Sequence, residues 1–296
     1  MSAVAFAPAK INLFLHVGAP GADGYHPLCS LMVFADIGDR LALHEADVLS
    51  VRVHGPFAGM LAAEGDNLVL RAARALLAKA RGPQPPVCLA LDKALPVAAG
   101  LGGGSSDAGA ALRLLREALG IAASDSELEA IAAGLGADGA ACLWGRPAIT
   151  EGRGERLSSS PGLPPIEAVL VNPGVQISTP AVYRAFDEAG AFGDILPPPM
   201  PDAFESVEEL AAWLGRMRND LEAPAVALAP EIGDVLETLA DEPETLIARM
   251  SGSGATCFAI CPGDIEADAL AERVSSLRPG WWVRRCRLGG PWPDPR

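Results

Sequence analysis

From residue 3 to residue 17, apolar and polar positions alternate around Lys10 and Asn12. That period of two predicts a strand pair or one bent strand. Ala22-Asp23-Gly24-Tyr25-His26 is turn chemistry, and 30–36, 39–45 and 49–54 read as three short strands. Residues 68–77 follow Asn67 with apolar side chains at helical spacing, and Asp66 is the N-cap candidate. Residues 87–91 read as a strand. A glycine cluster then leads into a small-residue helix over about 106–119. A further helix over 125–134 starts behind Ser124 or Asp125, and 140–144 and 148–151 read as strands.

Residues 158–165, Ser-Ser-Ser-Pro-Gly-Leu-Pro-Pro, have the composition of a linker. They divide the chain into domains 1–162 and 163–296. The length of 296 residues agrees, since domains of about 150 residues are usual. In the second half, 167–171 reads as a strand and Thr179-Pro180 opens a helix. A proline-rich loop covers 195–201, and helices are predicted over 206–217, 220–228 and 231–240. The tail reads as strand 247–250, a Gly-Ser turn, strand 256–261, helix 264–277 and strand 281–288. That order is a split βαβ unit, so both halves are α+β.

Charge narrows the partners. Against 37 acidic residues stand 23 basic ones, a formal net charge of −14. A nucleic-acid or anionic-membrane binder needs a basic face, so both are disfavoured. No apolar run reaches the roughly 18 residues needed to span a bilayer. The first 17 residues lack a basic n-region and are interrupted by Lys10 and Asn12, which does not suit a signal peptide. The six cysteines have neither C-x-x-C spacing nor a histidine at metal-ligand spacing, so they read as reduced core residues of a cytoplasmic protein. Only three of the basic residues are lysine, namely Lys10, Lys79 and Lys93, and the chain has two tyrosines, Tyr25 and Tyr183.

The segment with the most chemistry is 96–108, Pro-Val-Ala-Ala-Gly-Leu-Gly-Gly-Gly-Ser-Ser-Asp-Ala. Glycines let the backbone approach an anion closely. Successive N–H groups and a helix start then supply a field for phosphate. No Gly-Lys-Ser/Thr follows, so this is not a Walker A loop. It is not the dinucleotide fingerprint either, because Ser105 stands where G-x-G-x-x-G needs glycine. A flexible connector is the rival reading, although connectors are seldom held so tightly between a strand and a helix.

Pro96-x-x-x-Gly100-Leu101-Gly102-Gly103-Gly104-Ser105-Ser106 resembles the phosphate-binding motif of the GHMP small-molecule kinases, which include galactokinase, homoserine kinase and mevalonate kinase. Pro8-Ala9-Lys10-Ile11-Asn12-Leu13 resembles their N-terminal motif, and residues 250–256 resemble their C-terminal glycine motif. Within the family, segments at 23–26, 66–68, 92–96, 136–138, 173–180 and 219–222 are similar to the branch that phosphorylates a cytidine-diphosphate methylerythritol. The resemblance extends to about residue 262.

The resemblance implies a two-domain α+β architecture. The N-terminal α/β domain would be like that of ribosomal protein S5, and the C-terminal domain ferredoxin-like. It implies transfer of the γ-phosphoryl group of ATP to the substrate 2-hydroxyl, with Mg²⁺ neutralising the triphosphate and its ligands left open. Asp138 matches the family's base and Lys10 the lysine that pairs with it, so the two are expected to lie close together. The family usually continues Asp-Val-Pro-Phe, whereas Gly139-Ala140-Ala141-Cys142 follows here, which leaves open how Asp138 is held. ATP contacts are expected from Asn67, Lys93, Pro96, Gly100, Leu101, Gly102, Gly103, Gly104, Ser105 and Ser106. Asn67 is alternatively a helix cap, and Lys93 a solvated strand-end charge. The substrate is expected at Asn12, Tyr25, His26, Thr179 and Tyr183. There Tyr25 stacks on cytosine, His26 bonds its polar edge, and Tyr183 forms a second wall. Asn12 reads equally as a satisfied strand residue.

Two other functions compete. One is a GHMP-type kinase for another small alcohol, such as mevalonate or homoserine, which has no use for the Tyr25–His26 pair. The other is a non-catalytic sugar-binding regulator of the same fold, which has no need of both Lys10 and Asp138. The expected assembly is a monomer or weak homodimer with small-molecule ligands only.

Overall fold

The computed structural model describes residues 3–61, 67–197 and 199–294. Strand β1 (Val4–Val17) lies antiparallel to β2 (Leu28–Glu45), with register shifts between Pro8 and Lys10 and between Asn12 and Phe14. The first segment is therefore one bent strand. The strands expected at 30–36 and 39–45 are one continuous strand. Between them Gly38 lies close against β1: a Cβ there would meet the Ala7 carbonyl oxygen at 2.2 Å.

Strand β3 (Ser50–His54) is followed by the short helix α1 (Ala58–Leu61), α2 (Leu68–Leu77) and β4 (Val87–Asp92). Asn67 caps α2 by accepting from the Val69 amide at 2.8 Å, and the expected cap, Asp66, lies outside the described residues. Helix α3 (Gly103–Ala118) begins inside the glycine cluster, earlier than expected. Helix α4 (Asp125–Leu135) starts with a capping box between Ser124 and Glu127. Residues 140–144, expected as a strand, belong instead to helix α5 (Gly139–Trp144). A short apolar run does not distinguish the two by period. Here alanine propensity and the close seat of Gly139 against the Ala132 carbonyl decide for helix. Strands β5 (Ala148–Gly152) and β6 (Arg156–Ser159) form a hairpin, so the linker-like serines begin within a paired strand.

The second half runs β7 (Ile166–Asn172), α6 (Thr179–Ala189), α7 (Val207–Leu214), α8 (Glu222–Leu228), α9 (Glu231–Ala240), β8 (Ile247–Met250), β9 (Cys257–Cys261), α10 (Asp264–Leu277) and β10 (Trp282–Gly289). Pro198 of the expected proline-rich loop lies outside the described residues. The spatial order β10-β7-β9-β8 is antiparallel throughout, the split βαβ arrangement that the pattern predicts. Strand β10 also pairs with β2 at Leu288–Ala35 and Gly289–Phe34, which joins the halves in one ten-stranded sheet.

The core is shared in the same way. One cluster packs Ile11, Leu13 and Phe14 of β1 against Leu210, Trp213 and Leu214 of α7. All six cysteines are free and buried. Among the described residues no helix is long and apolar enough to cross a membrane.

Arg249 on β8 closes the seam. Its guanidinium is buried and donates to the carbonyls of Leu13 at 2.7 Å, Leu214 at 2.8 Å and Met217 at 2.8 Å. Arg249→Met keeps the stem and strands three buried acceptors. Unfolding in urea should show stability lowered by about 3 kcal/mol, with the denaturant slope unchanged. A loss below about 0.5 kcal/mol is the result that surface substitutions give, and would remove Arg249 from this role.

Candidate active site

A cleft of about 860 Å³ opens where β1, the loop before α3, the turn between β8 and β9, and the start of α6 converge. It is lined by Lys10, Asn12, Tyr25, His26, Asn67, Lys93, Pro96, 100–105, Asp138, Thr179 and Tyr183. Of the residues singled out in the sequence, Ser106 alone is not on that wall. It is fully buried in α3 with its hydroxyl beside the Cys142 thiol, so the expected ATP contact is corrected to a packing role.

Lys10 is 4% exposed, and its ammonium lies 3.1 Å from Asp138 Oδ2, the approach that the sequence led us to expect. The same Nζ donates to Asn12 Oδ1 at 2.6 Å, Asn12 Nδ2 donates to Ser30 Oγ at 2.7 Å, and Ser30 Oγ donates to the Phe14 carbonyl. Alternation on β1 puts Lys10 and Asn12 on one face, so this chain of bonds is set by the strand. Asn12 is thus a satisfied strand residue that also faces the cleft.

The glycine loop is held by a second glycine turn. Ser251 Oγ donates to the Gly100 carbonyl at 3.1 Å and accepts from the Asn12 amide at 3.2 Å. Asn219 Nδ2 donates to the Met250 and Gly252 carbonyls, each at 2.8 Å. Gly100 has φ +75°, and a Cβ on it would meet the Ser251 carbonyl oxygen at 2.2 Å. Only glycine allows that approach. Gly102 has no side-chain cap to offer α3, so the first amides of this 16-residue helix are left for a ligand.

Lys93 is neither a solvated charge nor free to offer its ammonium to a nucleotide. Its side chain is 3% exposed and binds Asp39 Oδ2 at 2.5 Å and Asp107 Oδ2 at 2.8 Å. It lies under the loop, where a Cβ on Gly103 would meet Nζ at 2.9 Å. Asp39 Oδ1 also accepts the Ala94 and Leu95 amides at 2.7 and 2.9 Å. The direct ATP contact is therefore corrected to support of the loop from below.

At the other end, His26 Nε2 meets Asp187 Oδ1 at 2.7 Å, and its ring lies 5.0 Å from that of Tyr183. Burial, and then the Asp138 charge, push the Tyr183 hydroxyl up to about 12. Tyr25 is 58% exposed and carries the Arg153 guanidinium 4.1 Å above its ring, and Arg153 pairs with Asp23. Thr179 Oγ1 lies 2.7 Å from Ser253 Oγ, which ties α6 to the glycine turn.

The N-terminal domain model of the GHMP kinases matches residues 67–146 and their C-terminal model residues 200–279. The 4-diphosphocytidyl-2-C-methyl-D-erythritol kinase of Caulobacter sp. (strain K31) is 66% identical over 97% of this chain and 99% of its own length. The chain belongs to the 4-diphosphocytidyl-2-C-methyl-D-erythritol kinases of the GHMP family. A crystal structure of 4-(cytidine 5'-diphospho)-2C-methyl-D-erythritol kinase superposes with TM-score 0.79 at 35% identity, covering 97% of this chain and 100% of that one. Homoserine kinase from Cytophaga hutchinsonii shares the fold, with TM-score 0.69 at 19% identity over 97% of this chain and 95% of its own.

In this GHMP kinase, sequence reasoning missed Asp39, Asp107, Arg153, Arg184 and Asp187. The last four line the cleft. Asp107 stands inside the glycine segment 96–108, but its pairing with Lys93 is set by the fold; the other four take part through partners or walls distant in sequence.

The buried Asp39–Lys93–Asp107 group makes a pH prediction. Burial pushes the Asp107 carboxyl from 3.8 up to about 8; Asp39 adds to the rise and Lys93 opposes it. The folded kinase then binds more protons here than the unfolded chain between these values, so this contribution to stability is lost as pH rises toward 8. Asp107→Asn removes the ionisation. Its stability relative to the parent should grow from pH 5 to pH 8 in urea unfolding and then level off. A difference independent of pH would contradict the assignment.

Proposed function

We propose that this chain transfers the γ-phosphoryl group of ATP to the 2-hydroxyl of 4-diphosphocytidyl-2-C-methyl-D-erythritol, in the non-mevalonate route to isoprenoid precursors. The observation that carries the reading is the 3.1 Å approach of Lys10 and Asp138 beside the uncapped start of α3. The relatives' names supply the substrate.

Phosphoryl transfer asks for in-line positioning and for charge stabilisation in a site that excludes water. The triphosphate is assigned to the amides at 100–105, with the nucleoside toward Asn67 and Pro96. The acceptor hydroxyl lies at Asp138. Its oxygen attacks the γ-phosphorus while the bond to the β,γ-bridging oxygen breaks. ADP leaves with that electron pair, and the hydroxyl proton passes to an Asp138 oxygen. Lys10 Nζ, 3.1 Å from Asp138 Oδ2, holds that carboxylate in place and faces the transferring group.

Mg²⁺ favours phosphate oxygens, water and hard oxygen donors, and the Ser105 hydroxyl on the cleft wall would supply one such donor beside the triphosphate. When bound it would neutralise triphosphate charge. Cytosine is assigned to the space between Tyr25 and Tyr183 with its polar edge at His26, and Arg153 and Arg184 stand on the same wall for the diphosphate.

Asp138→Asn should lower kcat about 10²- to 10⁴-fold in a coupled ADP-release assay, with little change in KM. Near-wild-type turnover would falsify the base. Tyr25→Ala removes a stacking surface worth about 1–3 kcal/mol. The KM for the cytidine substrate should rise roughly 10- to 100-fold while that for ATP holds. Equal changes in both constants would place Tyr25 outside cytosine recognition.

A further inference from the structure

The residues after β10 return across the N-terminal half as a strap over 290–294. Gly290 seats on the end of α5, where a Cβ would meet the Gly145 carbonyl oxygen at 2.5 Å. Trp292 Nε1 donates to the Phe34 carbonyl at 2.9 Å, and its side chain packs against the buried cluster formed by Met32, Phe34, Ala141 and Cys142. The Arg287 guanidinium lies 5.5 Å from the ring centre. Asp294 Oδ1 accepts the Phe6 amide at 2.8 Å and approaches Arg113 Nη2 at 3.5 Å, and Arg113 in turn donates to the Leu143 carbonyl of α5.

What the strap covers is the back of the helix that begins at Asp138. The Cys142 amide donates to the Asp138 carbonyl at 2.9 Å. On its other side Cys142 Sγ lies 3.4 Å from where a Cβ on Gly102 would stand, against the glycine loop. Cys142 thus stands between the indole and the cleft. Six residues are too few to hold a helix without tertiary packing. The side chains at 139–142 are glycine, two alanines and a cysteine, small groups that depend on packing from outside the helix, and Trp292 packs against the cluster that holds Ala141 and Cys142.

We propose that Trp292 is a positioning residue, which fixes α5 at the depth from which Asp138 reaches Lys10. It touches no substrate atom, so it acts on the chemical step through placement alone. Misplacing a reacting group by an ångström costs up to about a hundredfold in rate. The inference rests on the proposed role of Asp138.

The test pairs kinetics with amide exchange on Trp292→Ala and Trp292→Phe. For Trp292→Ala we expect kcat to fall about tenfold or more while both KM values stay within about twofold. Exchange at 142–145 should quicken, with β7 to β9 unchanged. Trp292→Phe, which restores an aromatic filler, should recover most of the turnover. Undiminished kcat in a folded Trp292→Ala protein would overturn the proposal. So would a loss of turnover matched by faster exchange throughout the sheet. Failure of the parent protein to phosphorylate the cytidine substrate would instead overturn the functional reading, and the exchange pattern would still judge the strap.

Discussion

An ammonium taken out of water must be paid for by partners fixed around it, and Lys10 imposes that condition on everything near the cleft. It sits on a strand whose other side chains are core, with Ala9, Ile11 and Leu13 fully buried. Its charge is met by Asp138, a second ammonium donor by Asn12, and its own amide donates to the Leu101 carbonyl of the glycine loop at 2.8 Å. One residue therefore ties β1 to the start of α5 and to the loop before α3. Asn12 passes the constraint on, since its amide donates to Ser251 in the glycine turn between β8 and β9. Separation of any of these elements would leave a buried charge or a buried amide without a partner.

The same accounting resolves the conflict between a net charge of −14 and the two polyphosphate ligands proposed for the cleft. Burial works against the charge on Lys93, yet Asp107 and Asp39 outweigh it and leave its pKa raised, so this lysine serves the scaffold. In the proposed function the attraction for phosphate comes mainly from uncapped backbone amides, which carry no formal charge. Arg153 and Arg184 add local cations. Total charge thus says little about a cleft whose field is set by a few oriented groups.

Much of this was legible in the sequence because it is local. The period of two in β1, the cap and helix at 67–77, and the βαβ tail each show their cause within a dozen residues. The glycine loop was legible for the same reason, since its composition is its mechanism. What escaped was decided by contact. The strands read at 30–36 and 39–45 are one strand because β1 pairs along both, and the short apolar run 140–144 has no period of its own until Gly139 seats it as a helix. Lys93 looks solvated because Asp39 is 54 residues away, and Asp187 carries no signal because His26 lies 161 residues before it. Long-range charge pairs have no periodicity to read.

The cleft also divides into a rigid floor and an open wall, and the division follows the demands of each task. Lys10, Asn12 and Ser251 are buried and mutually bonded, so their geometry cannot drift without cost. Preorganisation of that kind lets a site stabilise developing charge without rearranging at the moment of reaction. Tyr25 is more than half exposed and held by Asp23 and Arg153, both of which reach solvent. Exposed ion pairs are worth little, so this wall yields cheaply to an entering base. Arg153 over the Tyr25 ring is the contact that the cytosine, in the proposed function, would exchange for its own stacking. The cost of admitting substrate then falls on groups that were never well paired, and the floor that holds Asp138 need not move.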